Sequence, residues 1–520
     1  MRFVFTTLLS IGWLLTAQAQ ERSLFDSLAY RAEVQATVSG GDYNPLWLNA
    51  NKYGLSSIKH ANGYLRGFVK RPLSLDNGRK WGLGYGLDVA VATGFTSTLV
   101  VQQAFVEARW LKGTLTVGAK ELPMELKNQE LSSGSQTFGI NARPIPQVRL
   151  ALPDYWTIPH TKDWIALKGH IAYGKTTDDG WQKDFTSQHH KYTEDMLYHS
   201  KAGYLKIGNP EDVLFSVELG GEMATQFGGT CYRFLSDGTP DVVVQQVGGL
   251  KGMLRALVPG GKDTVDDDYT GGAGNSLGSW LARFNFDCDE WGFSIYADHF
   301  FEDHSSMFLL DYDGYGHGSE WNVKKDRRYF LYALKDIQFG LEIRFLDAPW
   351  LNTFLCEYLY SKYQSGPVYH DHDEVVSDHL GGQDNFYNHS LYTGWQHWGQ
   401  VIGNPLFLSP IYNTDGSIEV KNNRSSAFHF GFRGDPIQGL HYRFLGTYLK
   451  GYGTYDTPYS EPRSTFSMLA EATYSFADTS RLRGWSMRGA LGMDFGTLLR
   501  DNYGVQITIA KNGILKKNKK

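Results

Sequence analysis

The stretch NYGVQITIA, residues 502–510, alternates large apolar side chains with polar or small ones near the end of the chain. Successive side chains of a β-strand point to opposite faces, so this stretch predicts a strand with one apolar face and one polar face. Chain ends usually fray unless another element holds them. A strand this regular therefore indicates that the end of the chain is fixed in a sheet.

The same alternation recurs through most of the sequence. Between Trp81 and Val91 the odd positions carry large apolar side chains, and the even positions carry mostly glycine. Similar stretches begin at Phe215, Trp280 and Trp485. We count roughly 18 such strands of about 8 to 12 residues, most of them separated by Gly, Asn or Asp turn signals. The sequence thus predicts an all-β protein.

The two ends of the chain carry signals of a different kind. Residues 1–19 contain one early cation, an apolar run and the small-residue site Ala17-Gln18-Ala19, which predict a secretory signal peptide cleaved before Gln20. No later apolar stretch is long enough for a transmembrane helix. The formal charge of -5 favours no nucleic-acid partner, and the lysines within residues 511–520 are expected to form a solvated basic tail.

Two architectures produce alternating strands, and they place the apolar face in opposite positions. In a soluble sandwich or propeller this face packs inward, whereas in an outer-membrane barrel it meets lipid and the polar face lines the lumen. The sequence has no repeat of propeller length, and aromatic residues make up 14% of it, as barrel girdles require. Asn502, Gly504, Ile507 and Ile509 also fit a pattern that resembles the terminal recognition strand of outer-membrane barrels.

We therefore predict a single large antiparallel transmembrane β-barrel of roughly 18 strands over residues 20–510, located in the outer membrane of the cell. Closure would remove the sheet edges that so many strands otherwise expose. The last strand would pair with the first, near residues 30–39. The expected partners of such a barrel are outer-membrane lipid and the machinery that inserts barrels into the membrane.

Five sequence blocks resemble the capsule assembly Wzi family, and the likeness runs through nearly the whole mature chain. They are FGINARPIPQVRLALPDYWTIP (138–159), GHIAYG (169–174), HFFEDHSSM (299–307), GGQDNFYNHSLYTGWQHWGQVIGNPLF (381–407) and LGTYLKGYGTYDTP (445–458). The resemblance implies a closed barrel that holds capsular polysaccharide at the cell surface and supports capsule assembly without catalysis. It also implies a plug that occludes the lumen, for which residues 44–57, NPLWLNANKYGLSS, are the candidate.

Charged side chains on the polar faces of the strands are expected to form a network in the lumen. Pro144 and Pro146 forbid central-strand pairing and indicate an extended segment that lies in the lumen or over a mouth. Arg143 and Arg149 flank them, and these arginines either bind an acidic sugar or neutralise lumen carboxylates. The predicted network comprises Glu107, Arg109, Glu218, Arg283, Glu342, Arg344, Arg443 and Arg488.

The stretch GWQHWGQ, residues 394–400, is the best candidate for a glycan-binding loop. Trp395 and Trp398 offer flat faces for stacking on sugars, and His397 offers hydrogen bonds to hydroxyl groups. Tyr387, just before this stretch, adds a further ring. The same tryptophans would also suit the aromatic girdle of a barrel at the membrane interface, so both interpretations stay open.

No cofactor, metal site or enzymatic activity is predicted. The clusters HDHDE, residues 370–374, and DTVDDDY, residues 263–269, lack the spacing of known metal sites. A porin-like or substrate-selective channel is the main alternative function, because it would share every feature of the barrel except a blocked lumen. A glycan or lipid hydrolase is the enzyme alternative, and it would need two facing carboxylates in a surface groove.

Overall fold

The structure is a computed structural model that describes residues 27–209, 211–235, 238–257, 274–302, 316, 318–321, 323, 335–368, 373–375 and 382–515. The predicted signal peptide lies outside these ranges, and so do residues 263–269, residues 370–372 and the last five lysine-rich residues, 516–520.

Eighteen strands form one antiparallel sheet that closes on itself. Each strand pairs with its neighbours in chain order, and the first strand pairs with the last. This ring confirms the predicted closed barrel. The strands are β1 Leu28–Gly40, β2 Ala61–Arg71, β3 Trp81–Thr93, β4 Leu99–Trp110, β5 Gly113–Ala119, β6 Gln147–Thr157, β7 Ile165–Lys175, β8 Leu197–Ile207, β9 Phe215–Phe227, β10 Asn275–Asp287, β11 Trp291–Glu302, β12 Ile337–Phe345, β13 Thr353–Tyr360, β14 Ser425–Ile437, β15 Leu440–Gly453, β16 Pro458–Ser475, β17 Trp485–Gly496 and β18 Asn502–Leu515.

The last strand closes the barrel against the first. Tyr30 of β1 lies opposite Gly513 of β18, and Ser39 lies opposite Gly504, so the predicted pairing is confirmed. The strand ends at Leu515, beyond the predicted boundary at residue 510, because the residues after that boundary continue the ladder with the start of β1. The first half of the predicted basic tail is therefore part of the sheet.

The two faces of the barrel wall show which solvent surrounds it. On β18, Val505 and Ile507 are 47% and 53% exposed, whereas Gln506 and Thr508, which alternate with them, are each 3% exposed. A soluble sheet buries its apolar face and exposes its polar face, which is the reverse of this arrangement. The apolar stripe therefore faces lipid and the polar stripe lines the lumen, so the chain is an outer-membrane β-barrel.

The connections between strands differ in length at the two ends of the barrel. Tight turns, such as residues 111–112 and 438–439, join the strands at one end, which we name the short-turn end. Long loops of outer-membrane barrels face the outside of the cell, so we name the opposite end the surface end. The long connections at the surface end are residues 41–60, 120–146, 176–196, 228–274, 303–336 and 361–424.

Short elements occupy the described parts of the connections. Within the described residues, no helix is long and apolar enough to cross a membrane. Two small sheets lie among the long connections: Tyr192–Glu194 with Thr230–Phe234 and Pro240–Gln245, and Gln396–His397 with Gln400–Val401. The helices are α1 Leu46–Asn49, α2 Trp181–Thr186 and α3 Gly249–Leu257, with 3-10 turns at Leu73–Asp76, Gly318–Glu320 and Pro410–Tyr412.

Candidate functional site

Segments from three of the long connections fold back into the barrel and fill its lumen. They are residues 44–57, 120–146 and 382–424, and we name them together the plug. Their apolar side chains form one cluster with lumen-facing residues of the strands. Trp47, Tyr387 and Trp395 in this cluster are each at most 2% exposed. The lumen is thus occluded by loop segments, and residues 44–57 supply only one of the three.

The first plug segment packs against a part of the wall where a glycine leaves room for it. The backbone N–H of Leu46 donates a hydrogen bond to the Asp494 carboxylate on β17 at 3.1 Å. Gly492 on the same strand lies against Leu48, and a β-carbon added to this glycine would lie 2.7 Å from Cγ of the leucine. A side chain at residue 492 would therefore push α1 away from the wall.

The second plug segment carries a buried ion pair. Nζ of Lys127 lies 2.6 Å from Oδ2 of Asp298 on β11, and the two side chains are 1% and 0% exposed. Nearby, the Glu357 carboxylate on β13 accepts hydrogen bonds from the Ser132 hydroxyl at 2.6 Å and the Ser133 backbone N–H at 2.8 Å. A buried carboxylate is strongly destabilising without such partners. The wall and this segment therefore depend on each other.

The third plug segment contains the stretch predicted to bind glycan. The Trp395 indole N–H donates to the Thr137 carbonyl at 3.0 Å, and the Tyr387 hydroxyl donates to the Gln136 carbonyl. Both rings are 0% exposed. The prediction that Trp395 and Tyr387 stack on a surface glycan is therefore wrong. The plug segments bury each other, so these rings serve as its core.

His397 is also buried, with 3% of its surface exposed. Its Nδ1 lies 2.8 Å from the Arg143 carbonyl oxygen, and its Nε2 lies 3.1 Å from the Thr177 backbone nitrogen. One donor and one acceptor on the ring fit a neutral imidazole. Burial lowers the pKa of His397 to about 4, which keeps the ring neutral. The prediction that His397 binds sugar hydroxyls is wrong, because both ring nitrogens already hold the plug together.

Trp398, by contrast, is only partly buried at the surface end. The Arg143 guanidinium carbon lies 4.3 Å from the centroid of the Trp398 ring. The same guanidinium donates to the hydroxyls of Ser97 and Thr96 in the short β3–β4 connection, at 2.9 Å and 2.8 Å. Burial lowers the pKa of Arg143 to about 10. Arg143 thus braces the Trp398 ring from behind, while the ring keeps an accessible part.

A second tryptophan, which is not among the residues predicted from the sequence, contacts the residue that follows Trp398. Trp181 of α2 stacks on Phe185 with centroids 4.8 Å apart. Its ring lies against Gly399, where an added β-carbon would be 2.6 Å from the indole. Gly399 also has a positive φ of 80°, so this position suits glycine alone. Trp181 and Trp398 are both partly exposed, and we name this pair the aromatic platform.

Charged side chains line the lumen between the plug and the short-turn end. Arg283 on β10 lies 3.1 Å from Glu342 on β12, and Glu342 lies 3.3 Å from Arg344. Arg344 also lies 2.6 Å from Asp287 at the end of β10. Arg283 further donates to the Leu126 carbonyl at 2.9 Å, so this group of charges contacts the plug as well as the wall.

A second group of charges forms farther around the wall, on β15 to β17. Arg443 lies 2.8 Å from Glu471 on β16 and donates to the Glu130 carbonyl of the plug at 2.7 Å. Arg488 donates to the Thr473 hydroxyl at 3.3 Å. Glu471 is not among the residues predicted from the sequence, because its strand carries two acids, Glu461 and Glu471, and the alternation does not mark either of them. Only the strand register places Glu471 opposite Arg443.

Two further network residues, Glu107 and Arg109, and the glycan-binding candidate Arg149 occupy three different settings. Glu107 is paired with Lys120, which begins the second plug segment. Arg149 is half-buried on the lumen face of β6. Arg109 instead donates to the Asp76 carbonyl at 2.5 Å and to the Asn77 side chain at 3.1 Å. The prediction that Arg109 neutralises a lumen carboxylate is therefore wrong, because its guanidinium donates to the β2–β3 turn.

A cavity of about 450 Å³ stays open beneath the plug, and its lining carries both signs of charge. Glu218, another residue of the predicted network, belongs to this lining. Within the described ranges, no group of three His, Cys, Asp or Glu side chains is arranged to hold a metal ion. Charged residues of the lining are Lys127, Glu130, Lys168, Glu218, Arg283, Glu342 and Arg433.

No family model matches the chain. No curated protein matches it either. Similar solved structures include OprD of Pseudomonas aeruginosa, at 9% identity and a TM-score of 0.44, over 96% of this chain and 98% of that chain. OccAB4 of Acinetobacter baumannii has 10% identity and a TM-score of 0.44, over 95% and 99% of the two chains. A loop-deletion mutant of OmpT, an outer membrane protein of Vibrio cholerae, has 6% identity and a TM-score of 0.36, over 94% and 100%.

None of these comparisons supports the resemblance to the capsule assembly Wzi family. At such TM-scores and identities, however, the likeness carries no argument about what this chain binds or transports. The function has to be argued from the plug, the aromatic platform and the cavity.

Proposed function

We propose that this chain is a sealed outer-membrane barrel that binds surface polysaccharide at its surface end, without enzymatic activity. The observation that carries the proposal is the filled lumen: three segments meet there in a single apolar cluster anchored to the wall by the Lys127–Asp298 pair. An open pore needs a continuous water path, and a packed core removes it. Attachment of a capsule would follow the role implied by the resemblance to the Wzi family.

The aromatic platform is the proposed sugar contact. Trp181 and Trp398 are partly exposed, and they pack on Phe185 and Arg143 respectively. Trp181 contacts Gly399, the residue that follows Trp398. Rigid aromatic faces suit the C–H surfaces of sugar rings, while neighbouring polar groups bind the hydroxyls. The platform replaces the buried Trp395, Tyr387 and His397 as the candidate site, and of the original aromatic set it retains Trp398.

Polysaccharide binding is tested with Trp398→Ala and Trp181→Ala in the full-length, refolded protein. Capsular polysaccharide from the cells that make the protein is titrated against each variant. Loss of one stacking face should weaken binding about 3- to 10-fold, since such contacts contribute about 0.5 to 1.5 kcal/mol. The matched control is Trp350→Ala, which removes a 70% exposed tryptophan in a turn at the opposite end. If all three variants bind the polysaccharide equally well, the proposal that the aromatic platform contacts sugar is refuted.

The capsule role itself is tested in cells. Deletion of the gene should release capsule from the surface while its synthesis continues, and staining of intact cells with separate assay of the medium measures both quantities. A capsule that stays on the surface of the deletion strain at its normal amount would contradict the proposal.

A substrate-selective channel is the second candidate, and the open cavity is the observation that favours it. The plug leaves about 450 Å³ free toward the short-turn end, with Arg433, Lys168 and Glu218 among the lining residues. Such a mixed lining is polar enough for a charged solute. Conductance of the purified protein in planar bilayers separates the two functions. A sealed holder gives no steady current, whereas a channel gives reproducible openings.

A further inference from the structure

Helix α3 lies against the outside of the barrel wall, not over its mouth. The Tyr173 hydroxyl of β7 donates to the Met253 carbonyl at 2.8 Å, and the Lys201 ammonium of β8 donates to the Leu257 carbonyl. Residues on either side of Tyr173 and Lys201 face the lumen, because side chains alternate along a strand, so these two point outward. The helix therefore covers the lipid-facing side of β7 to β9 at the surface end.

The wall beneath α3 differs from the rest of the outer surface. Farther along the same strands the outward positions are apolar and open, with Ile171 47% and Leu219 44% exposed. Toward the surface end of these strands the outward positions include His199 and Thr225, both 0% exposed. The His199 ring lies 4.4 Å from the ring of Tyr173, which also bonds to α3. The Thr225 hydroxyl lies 3.0 Å from that of Ser276 on the next strand. Polar groups of this kind cannot face hydrocarbon, so this part of the wall is not an open lipid-facing surface.

Helix α3 is itself amphipathic, with small residues toward the wall and leucines on the opposite side. Its small residues Gly252 and Ala256 are buried, and a β-carbon added to Gly252 would lie 3.0 Å from the Phe227 ring of β9. On the opposite side, Leu250 is 74% exposed and Leu254 is 58% exposed. Residues four apart share one helix face, so the two leucines form a single apolar ridge that points away from the protein.

We propose that α3 is an interfacial helix that inserts this ridge into the outer leaflet of the membrane at the boundary between acyl chains and headgroups. Three observations favour lipid as the occupant. The ridge continues the apolar outer band of β7 and β9, it lies on the outside of the wall at the surface end, and the exposed Lys251 lies beside it on the helix. Apolar side chains flanked by a cation suit an interface that carries lipid phosphate.

The helix would give the barrel a contact with phosphate-bearing lipid in addition to its strands. It also gives the outward Lys201 of β8 carbonyl partners on the outer face of a membrane barrel. The inference stands whether or not the aromatic platform binds polysaccharide, since it uses none of the same residues.

The insertion is tested with nitroxide labels on the full-length protein in vesicles that mix phosphatidylcholine with phosphatidylglycerol. Cys231, Cys288 and Cys356 are first replaced, and a single cysteine is then introduced by Leu254→Cys. Two reference labels use the same background: Ile507→Cys on the lipid face of β18 and Lys183→Cys on the exposed side of α2. Refolding of each variant is checked by its heat-dependent shift on gels.

We expect the label at residue 254 to collide frequently with oxygen and rarely with a water-soluble nickel chelate, as the label at residue 507 does. Collision rates that match those at residue 183 would place the helix in water and overturn the inference. Low collision with both reagents would place the ridge against protein, for example a second barrel, and would overturn it equally.

The phosphate contact is tested by Lys251→Glu in the Leu254→Cys background. Because one lysine near an anionic surface shifts binding about fivefold, this variant should lower the ratio of inserted to released label by about that factor with phosphatidylglycerol present. In pure phosphatidylcholine it should change little. Lys183→Glu is the matched control on a helix that does not touch the membrane. If the Lys251→Glu and control proteins insert equally in anionic vesicles, the inferred contact between Lys251 and lipid phosphate is refuted.

Discussion

Removal of the buried cation of the plug should loosen residues 120–146 while the barrel stays closed. Lys127→Met keeps most of the side-chain stem but deletes the ammonium that lies 2.6 Å from Asp298, in a pair with side chains 1% and 0% exposed. Breaking a buried ion pair by removal of one partner costs about 3 to 5 kcal/mol. The equilibrium for local opening of the segment should therefore shift by about 10² to 10⁴-fold.

Hydrogen exchange of the detergent-folded protein measures this opening directly. Amides of residues 120–146 should lose protection by that factor in Lys127→Met, while amides in the strands should keep theirs. The control is Lys421→Met, whose partner Asp415 lies 2.5 Å away with both side chains over 40% exposed. Such a surface pair contributes only about 0.2 to 1 kcal/mol.

A double variant distinguishes the loss of charge balance from the loss of packing. Lys127→Met with Asp298→Leu removes both charges, and an apolar replacement of a buried pair is often close to neutral. Protection should thus recover toward the value of the unmodified protein. Equal exchange of residues 120–146 in Lys127→Met and in the Lys421→Met control would refute the reasoning.

Three further changes test other parts of the structure. Ile507→Arg on the lipid face should destabilise the barrel in vesicles by about 2 kcal/mol, whereas Leu482→Arg in a short turn should change its stability little. Equal urea midpoints of the two variants would count against lipid exposure of Ile507. Burial lowers the pKa of His397 to about 4, so between about pH 6.5 and pH 4 this ring gains a proton only in the unfolded chain. Acidification over that range should therefore lower the free energy of unfolding by about 3 kcal/mol. His397→Gln should remove that part of the acid sensitivity, and an unchanged pH profile would contradict the assignment. Gly492→Ala should displace α1 at a cost of about 1 to 3 kcal/mol, which hydrogen exchange would detect as faster exchange of residues 44–57. Gly489→Ala is the control, because no atom lies within 4 Å of its added β-carbon, and it should leave this exchange unchanged.

The barrel wall could be predicted because its cause is local. Each strand must present one face to lipid and one to the lumen, so the alternation at residues 502–510 and its repeats predict the strand positions. The aromatic content, the missing propeller repeat and the terminal-strand pattern then favour a closed membrane barrel. With lipid outside, the exposures of Val505 and Gln506 follow from the period of two. The end of β18 was misplaced because Lys511 still pairs with β1, and a basic side chain in the aqueous border of a barrel gives no signal for or against a strand.

The candidate site was predicted less well, because its residues are joined by contacts distant in sequence. Trp395 and Trp398 stand three positions apart, yet one is 0% exposed in the plug core and the other is partly open beside Trp181. Composition assigns both the same chemistry. What separates them is the Thr137 carbonyl that receives one indole N–H and the Arg143 guanidinium that stacks on the other ring.

The sequence by itself determined a closed sheet with an apolar outer face, because hydrocarbon imposes one rule on every residue of the wall. Only the tertiary structure decided which loops enter the lumen, which aromatic rings keep contact with the outside and that α3 lies on the outer wall. Those outcomes depend on the volume inside the ring and on pairing of groups such as Lys127 with Asp298, which lie far apart in the chain and have no periodic signature.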